Sequence, residues 1–419
     1  MGQVDRGDGR RLGTPAGVAG LARRVRRARR AARATIAPQW KGFAALCVGS
    51  VAVLCAAAWP FAKAHLQALE ILDLVSGQRV PWVISKAIAE PVGTRELHFE
   101  TEEGLIRARL YVPTGHANAP GLIVLHGVHH LGIDEPRLMG FAAAMASCGL
   151  RVLTPELPDI KDYHVDQSSV RMIGESARWF AVQTGKPVGV MGLSFSGGLA
   201  LVAAADPLYR PEFKFVFAVG SQDSMNRVAR YYRTGEDARP NGTVERLPAH
   251  EYGPLVLEYE YLEDFVPRQD VAAVRKVLRA HLYEDKPGEV QAIARLTEAQ
   301  KGESRKLMDT GGAETRAAIE RSTAKHAAEM AGLSPRGRLK RMTTPVYLLH
   351  GQADNIIPAA ETLWMASELP GEALQAVLVS PVLSHLDVDE AKPGLWDEWR
   401  LVHFFALVMH ASEIDSGRG

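Results

Sequence analysis

One short stretch, residues 187–201, reads PVGVMGLSFSGGLAL and constrains the fold more than any other part of the chain. Its first part is apolar over the length of a strand, and its last part is apolar over the length of a helical turn or more. Ser194 lies between them, with Gly192 before it and Ser-Gly-Gly at 196–198 after it. Only small neighbours let a strand and a helix approach so closely. The stretch therefore predicts a strand, a sharp turn that presents Ser194, and a helix.

A serine on such a strand-to-helix turn is typical of a nucleophile elbow, in which the helix N-terminus also offers backbone amides to an oxyanion. The usual pattern is G-x-S-x-G, but here the fifth residue is Ser196, which leaves two candidate nucleophiles. We favour Ser194, because the residue two positions before Ser196 is Ser194 rather than glycine. The competing interpretation is a Gly/Ser-rich turn without chemistry.

Charge and cysteine content argue against a nucleic-acid-binding protein and against a disulfide-rich one. Lys and Arg number 49 against 48 Asp and Glu, a net charge of +1, which argues against bulk nucleic-acid binding. Three cysteines, Cys47, Cys55 and Cys148, make no disulfide framework. The chain has no CxxC pair and no spacing of histidines that is typical of a zinc site, so we expect neither a metal nor a cofactor.

The N-terminal region predicts a membrane anchor. Residues 42–62 form a run of 21 residues without a charge, which as a helix spans about 30 Å, the thickness of a hydrocarbon core. Seven arginines within residues 23–33 precede it and are expected to keep the N-terminus in the cytoplasm, with the remaining chain across the membrane. A cleaved signal peptide is the alternative for the apolar run, and a nucleic-acid patch is the alternative for the arginines.

Strands alternate with helices from about residue 94 and again after residue 343, which predicts a mostly parallel sheet flanked by helices. An early hairpin precedes this alternation, and over a hundred residues of helical pattern interrupt it. That interruption reads as a helical cap over the site, with a separate helical domain or a partner surface as the alternative. The expected parts are a disordered Arg-rich tail (1–41), a transmembrane helix (42–62), a linker that starts as an amphipathic helix (63–93), a first core part (94–220), a helical insertion (221–343), a second core part (344–411) and a tail (412–419).

Polar residues that suit a serine nucleophile follow other predicted strands. A serine needs a base, and the base needs an acid that fixes its tautomer. In an open parallel sheet these groups belong just after the carboxyl ends of strands. Asp354 follows one late strand and His385 follows the next. Asp223 follows an earlier strand and is the minority candidate for the acid.

The turn after the strand at 121–125 reads His-Gly-Val-His. Its Val128 amide is a candidate oxyanion donor beside the amide of Phe195. His129, the next residue, is a candidate substrate contact. The neighbouring His126 is expected to support the turn rather than to react.

These features together resemble an α/β-hydrolase over residues 94–411. The resemblance rests on the His126-Gly127 turn, the elbow around Ser194, the segment HGQADNIIP at 350–358 and the late His385. The elbow glycines and the early hairpin resemble the dienelactone-hydrolase and prolyl-oligopeptidase-like branches. The resemblance implies Ser194 as nucleophile, His385 as base and Asp354 as orienting acid, in the chain order of that fold.

The activity that this resemblance implies is hydrolysis of a small carboxylic ester through an acyl-enzyme, an inference by analogy of fold. A serine peptidase or a lipase acting through the same three residues is the alternative within that class. From a different class, the chain is a membrane-tethered interaction protein with an inert hydrolase fold. The presence of all three residues, Ser194, Asp354 and His385, argues against an inert interaction protein.

Overall fold

A computed structural model of the chain describes residues 16–77, 82–116, 118–383 and 394–413. The chain divides into two compact units, residues 1–60 and residues 61–419. The strands within the described residues are β1 (Val92–Thr101), β2 (Gly104–Pro113), β3 (Gly121–Leu125), β4 (Arg151–Pro155), β5 (Val188–Leu193), β6 (Phe213–Val219), β7 (Glu236–Ala238), β8 (Val244–Arg246), β9 (Val346–Gly351) and β10 (Leu374–Ser380). The helices are α1 (Ala16–Val75), α2 (Trp82–Ile88), α3 (Pro136–Ser147), α4 (Pro158–Lys161), α5 (Gln167–Thr184), α6 (Phe195–Ala205), α7 (Met225–Thr234), α8 (Tyr252–Glu260), α9 (Val271–Leu282), α10 (Lys286–Ala294), α11 (Glu298–Met308), α12 (Ala313–Lys325), α13 (Ala327–Gly332), α14 (Ala360–Glu368) and α15 (Leu395–Glu413).

Eight strands form one sheet in the order β1-β2-β4-β3-β5-β6-β9-β10. β2 runs antiparallel to both of its neighbours, and every other neighbouring pair is parallel. The parallel strands β3, β5 and β9 are almost wholly buried, as strands covered by helices on both faces must be. This order and these connections are those of the α/β-hydrolase fold, which confirms the predicted fold class.

Successive residues of the central strands face two different cores, because side chains alternate across a strand. The core on one face contains α5, α6 and the insertion helices, and the core on the other face contains α3, α15 and the last part of α1. Residues that face the first core are Ile123, Val190, Val216 and Leu348, and those that face the second are Val124, Met191, Phe217 and Leu349. The sheet thus separates two apolar layers and leaves its strand ends free for polar residues.

The segment between β6 and β9 contains helices α7–α13 and one short hairpin, β7–β8. These helices lie in the range 221–343, for which a helical insertion is predicted. Its side chains join the core that covers α5 and α6, as shown by Tyr231, Leu257 and Val274. The insertion therefore packs on the sheet's helical layer within the same compact unit.

The N-terminal region differs from the prediction in its first part. A helix, α1, begins at Ala16 within the tail for which disorder is predicted. Alanine and arginine are both strong helix formers, so the low apolar content of this stretch is a poor guide to its backbone. The same helix continues to Val75 through the predicted linker, where Ala64, Ala68 and Ile71 are buried in the core beside α3 and α15.

The part of α1 from Leu46 to Val75 is long and apolar enough to cross a membrane, with a mean hydropathy of 1.6. The 18-residue window that meets this criterion has none of its residues buried. The helical face buried beyond Phe61 belongs to the second unit, so the apolar run and the core-packing run are consecutive parts of one helix. The sequence pattern alone does not separate these two uses of apolar residues.

Candidate active site

Ser194 occupies the strained turn that its neighbours predict. Its backbone has φ 55° and ψ −135°, and Tyr163 and Glu284 are the other non-glycine residues with positive φ in the described ranges. A side chain on Gly197 would place its Cβ 2.7 Å from the carbonyl oxygen of Gly192, a backbone atom of β5. The strand-to-helix crossing therefore admits no larger residue there, and a backbone conformation held in this way is one found at functional sites.

Three backbone hydrogen bonds bring the carboxyl ends of four strands to one edge of the sheet. The Ser194 amide donates to the Val219 carbonyl at 2.8 Å, and the Gly220 amide donates to the Leu349 carbonyl at 2.8 Å. The Gln352 amide donates to the Ser380 carbonyl at 2.9 Å. The turn at Ser194 and the loops after β6, β9 and β10 thus lie side by side.

Asp354 lies on the loop after β9 and is 1% exposed. Its Oδ1 accepts hydrogen bonds from the amides of Ile356 and Ile357, each at 3.0 Å. The Nε2 of His350 lies 3.4 Å from Oδ2 and also donates to the carbonyl of Ile357 at 2.8 Å. The surrounding loop therefore fixes the orientation of this carboxylate, as the role of an orienting acid requires.

His385, the predicted base, lies outside the described residues, so its role stays a prediction. The loop after β10 is described as far as Leu383. The carbonyl oxygen of Leu383 would lie 2.5 Å from a Cβ added to Gly351, the last residue of β9. The described part of this loop therefore approaches the end of the strand that leads into Asp354.

The turn after β3 lies directly against the elbow. A Cβ added to Gly127 would lie 3.4 Å from the Cβ of Ser194. The amides of Val128 and Phe195, the two predicted oxyanion donors, make no hydrogen bond with any residue that the structure describes. A substrate carbonyl beside Ser194 is the acceptor that the prediction requires for these two amides.

Ser196, the alternative nucleophile, is buried and already hydrogen-bonded. The Ser196 side chain is fully buried, and its hydroxyl donates to the carbonyl of His126 at 2.6 Å. Ser194, by contrast, is half-buried, and its hydroxyl bonds to none of the described residues. This difference supports Ser194 over Ser196.

Asp223, the minority candidate for the acid, has an ion-pair partner. Its Oδ2 accepts from Arg227 at 2.8 Å, and its amide donates to Glu361. Burial raises the pKa of Asp223 to about 6, and the bond to Arg227 opposes that shift. Arg227 and Glu361 join the start of the insertion to α14. Because Asp223 bonds to both residues, its contacts are those of a residue that stabilises this junction.

His129 lies beside the oxyanion turn, half-buried, with its ring stacked on His130 at a centroid distance of 4.6 Å. Its Nδ1 accepts from the Leu131 amide at 3.2 Å. Burial lowers the pKa of this imidazole, so it favours the neutral form. Contact with a substrate stays a prediction for this residue.

The insertion places residues beside the candidate site that no sequence motif predicts. Tyr252 of α8 donates its hydroxyl to the Val128 carbonyl at 2.8 Å, which ties the insertion to the oxyanion turn. A small cavity of about 30 Å³ lies between Phe195 and the insertion helices α7 and α8, and its lining is mostly apolar. Glu260 is the acidic residue at its margin and bonds to His164 at 2.9 Å.

Among the described residues no group of three or more His, Cys, Asp or Glu side chains is placed to hold a metal ion.

Comparisons with known proteins find similarity at the level of structure. No protein-family model and no curated protein sequence matches the chain. The solved structures that resemble it include an esterase from Pyrobaculum calidifontis, with 15% identity over 84% of this chain and 92% of that one, and a TM-score of 0.44. Brefeldin A esterase, a bacterial homologue of human hormone-sensitive lipase, has 15% identity over 74% of this chain and 77% of that one, with a TM-score of 0.41.

The acylaminoacyl peptidase of Pyrococcus horikoshii has 14% identity over 71% of this chain, with a TM-score of 0.39. The matched region covers only 38% of that peptidase, so the chain corresponds to well under half of its length. At these identities the likenesses concern the fold, which the strand order already establishes. The chain is thus a protein of α/β-hydrolase fold with a serine on a strained strand-to-helix turn.

Proposed function

We propose that the protein is a membrane-anchored serine hydrolase that cleaves a small carboxylic ester. Ser194 is the nucleophile, His385 the general base and Asp354 the acid that orients it. The observation that carries this proposal is the strained backbone of Ser194, with φ 55°, beside a turn whose Val128 amide bonds to none of the described residues. Strain of this kind costs about 1–3 kcal/mol and persists where the surroundings impose it.

The proposed reaction has two balanced halves. The Ser194 oxygen bonds to the ester carbonyl carbon while its proton passes to His385, and the carbonyl π electrons move to the oxygen. The amides of Phe195 and Val128 stabilise that oxyanion. When the adduct collapses, the bond to the alkoxy oxygen breaks, and the departing alcohol takes the proton from His385. Water then attacks the acyl-enzyme by the same steps, which releases the carboxylic acid and restores Ser194.

The cavity beside Phe195 supports a substrate with a small apolar acyl group. Its volume is about 30 Å³, and the side chains around it include Val165, Met225 and Val256. A lipase substrate would need a much longer apolar channel, and a peptide would need partners for its amides. Residues of α7 and α8 line this cavity, and this supports a role for the insertion as a cap.

The anchor is the second part of the proposal. Residues 42–62 would span the membrane, and the arginines that precede them favour a cytoplasmic N-terminus, so the hydrolase unit lies on the other side. No partner other than the membrane and a small ester is proposed, and nucleic acid is not among the expected ligands. A signal peptide cleaved near residues 56–58 is the alternative, and the mass of the mature protein distinguishes the two.

A series of p-nitrophenyl esters with acyl chains of rising length, assayed beside dipeptide anilides, tests this function. We expect turnover to be fastest for short chains and Ser194→Ala to lower kcat by roughly 10³-fold or more. Ser412→Ala is the matched control, because Ser412 is a buried serine on α15 whose hydroxyl donates to the Val408 carbonyl. Its own carbonyl accepts from Lys214 at the start of β6, the end of that strand opposite to the one beside Ser194. Faster cleavage of long-chain esters or of anilides would support the lipase or the peptidase instead. No turnover and no fluorophosphonate labelling of the folded protein would favour the inert interaction protein.

A further inference from the structure

The residue that departs from the usual elbow pattern makes a specific contact. Ser196 stands where glycine is usual, and its hydroxyl lies 2.6 Å from the carbonyl oxygen of His126. Ser196 is fully buried and His126 is 2% exposed, so water does not compete for this bond. The bond joins the first turn of α6, which carries the nucleophile, to the turn after β3, which carries the Val128 amide.

The ring of His126 continues this connection, and its tautomer follows from its partners. The Leu157 amide donates to Nε2 at 3.0 Å, and because an amide only donates, the ring proton must lie on Nδ1. Burial lowers the pKa of His126 to about 4, so the ring is neutral near pH 7. Nδ1 then donates to the carbonyl of Gly127 at 2.9 Å.

The Gly127 carbonyl and the Val128 amide belong to one planar peptide unit, and in a trans peptide the two groups point in opposite directions. A bond that fixes the Gly127 carbonyl towards the His126 ring therefore fixes the Val128 N–H on the other side. Gly127 itself lies against Ser194. The position of the Val128 amide relative to the nucleophile thus depends on two bonds, one made by the His126 ring and one accepted by the His126 carbonyl.

We propose that Ser196 is a positioning residue, whose hydroxyl holds the His126–Val128 turn in register with the elbow so that the Val128 amide meets the oxyanion. This inference rests on the proposed function, because it concerns the same acyl-transfer site. Without the hydroxyl, the turn loses its bond to the helix that carries Ser194, and the His126 carbonyl loses a donor. A displacement of about 1 Å at such a donor lowers rates by up to about 10²-fold.

The test compares Ser196→Gly and Ser196→Ala with the wild type on a p-nitrophenyl ester of short acyl chain. Active sites are titrated with a fluorophosphonate, so that kcat is expressed per competent site. We expect kcat per site to fall about 10- to 100-fold while KM changes less than about threefold. A trifluoromethyl ketone, which forms an oxyanion adduct with the serine, should bind more weakly by the same factor, and Ser412→Ala should match the wild type in both measurements.

A second comparison tests the hydrogen bond that the His126 ring donates. His126→Asn keeps an N–H donor near the position of Nδ1, whereas His126→Leu has none, so the Asn variant should retain more of the ketone affinity. Glycine fits the usual pattern at residue 196, so Ser196→Gly should fold, and a thermal transition within a few degrees of the wild type checks this. If it does not fold, Ser196→Ala gives the same comparison.

Two failures are distinguishable. If the wild type turns over the ester, Ser194→Ala does not, and Ser196→Gly keeps the wild-type kcat per site and ketone affinity, this inference is overturned while the proposed function stands. If the wild type neither turns over the ester nor reacts with the fluorophosphonate, the proposed function itself is overturned.

Discussion

A Cβ added to Gly192 would lie 2.4 Å from the Cα of Gly197, so the end of β5 and the first turn of α6 are in direct backbone contact. Real Cβ atoms do not approach backbone so closely, and backbone at a sheet–helix crossing cannot move aside as a flexible side chain can. Gly192 and Gly197 thus determine how closely β5 and α6 approach each other. This distance determines the backbone conformation at Ser194, which connects the two elements.

Gly192→Ala should therefore destabilise the protein strongly. We expect the free energy of unfolding to fall by about 3 kcal/mol, the upper end of the range for overpacked cores. Gly140→Ala is the matched control, because Gly140 lies in the exposed face of α3 with nothing within 4 Å of its added Cβ. It should gain about 0.5–1 kcal/mol from helix propensity. Urea denaturation measures both, and equal unfolding free energies for the two variants would contradict this reading of the elbow.

Glu258 predicts a pH-dependent stability. It is fully buried on α8, neither of its carboxyl oxygens bonds to a described residue, and burial raises its pKa to about 9. The unfolded carboxyl loses its proton near pH 4.5 and the folded one near pH 9, so stability falls as the pH rises between these values. Glu258→Gln removes the ionisation and should stabilise the protein by on the order of 3 kcal/mol at pH 7 and hardly at all at pH 4.

Thermal denaturation from pH 4 to pH 9 checks this dependence. The comparison is Glu298→Gln, an exposed glutamate at the start of α11 whose pKa is lowered by its hydrogen bond to Lys301. It should show no gain that grows with pH. A constant difference between Glu258→Gln and the wild type across this range would mean that the Glu258 carboxyl is compensated in the folded protein.

The Arg227–Glu361 pair is expected to be costly to break. Glu361 is fully buried and accepts from Arg227 Nε at 2.5 Å, and from the amides of Asp223 and Ser224. Arg227→Met leaves that carboxylate without its cation and should lower the unfolding free energy by about 3–5 kcal/mol. Arg137→Met removes a pair of similar length from an arginine that is 82% exposed, and should change it by less than about 1 kcal/mol. Similar losses in the two variants, by chemical denaturation, would contradict the assigned difference in burial.

The last part of α1 is expected to be needed for folding of the hydrolase unit. Ala64, Ala68 and Ile71 are buried in the core, and the Gln67 amide donates to the Cys148 carbonyl at 2.7 Å. A chain of residues 61–419 should therefore be soluble with one cooperative thermal transition, whereas a chain of residues 78–419 should aggregate because it exposes that core. A shorter chain as stable as the longer one would show that this helix only tethers the unit.

The elbow, the parallel strands and the helical insertion were predictable because each has a local signal. Strand β3 has the predicted bounds, and the turn at Ser194 follows from small residues on both sides. The strand order was not predictable, since alternation of strands and helices indicates parallel pairing without saying which strands are neighbours. The predicted fold class therefore came from the combination of turns and strand-end residues.

Other features depend on contacts that are distant in sequence. Ser196 donates to a residue 70 positions earlier, and Tyr252 donates to one 124 positions earlier, so neither bond leaves a local pattern. The packing partners of α1 beyond Phe61 were not predictable for the same reason, because an amphipathic pattern indicates that one face of a helix is buried without showing what covers it. His385, outside the described residues, stays a prediction from its place after β10.

Tandem mass spectrometry of the full-length protein after reaction with a fluorophosphonate tests the central claim most directly. Cleavage on both sides of residues 187–201 gives a peptide in which fragment ions distinguish Ser194 from Ser196. We expect one adduct per chain, on Ser194, and none on the Ser194→Ala variant. An adduct on Ser196, or a folded protein that forms no adduct, would contradict it.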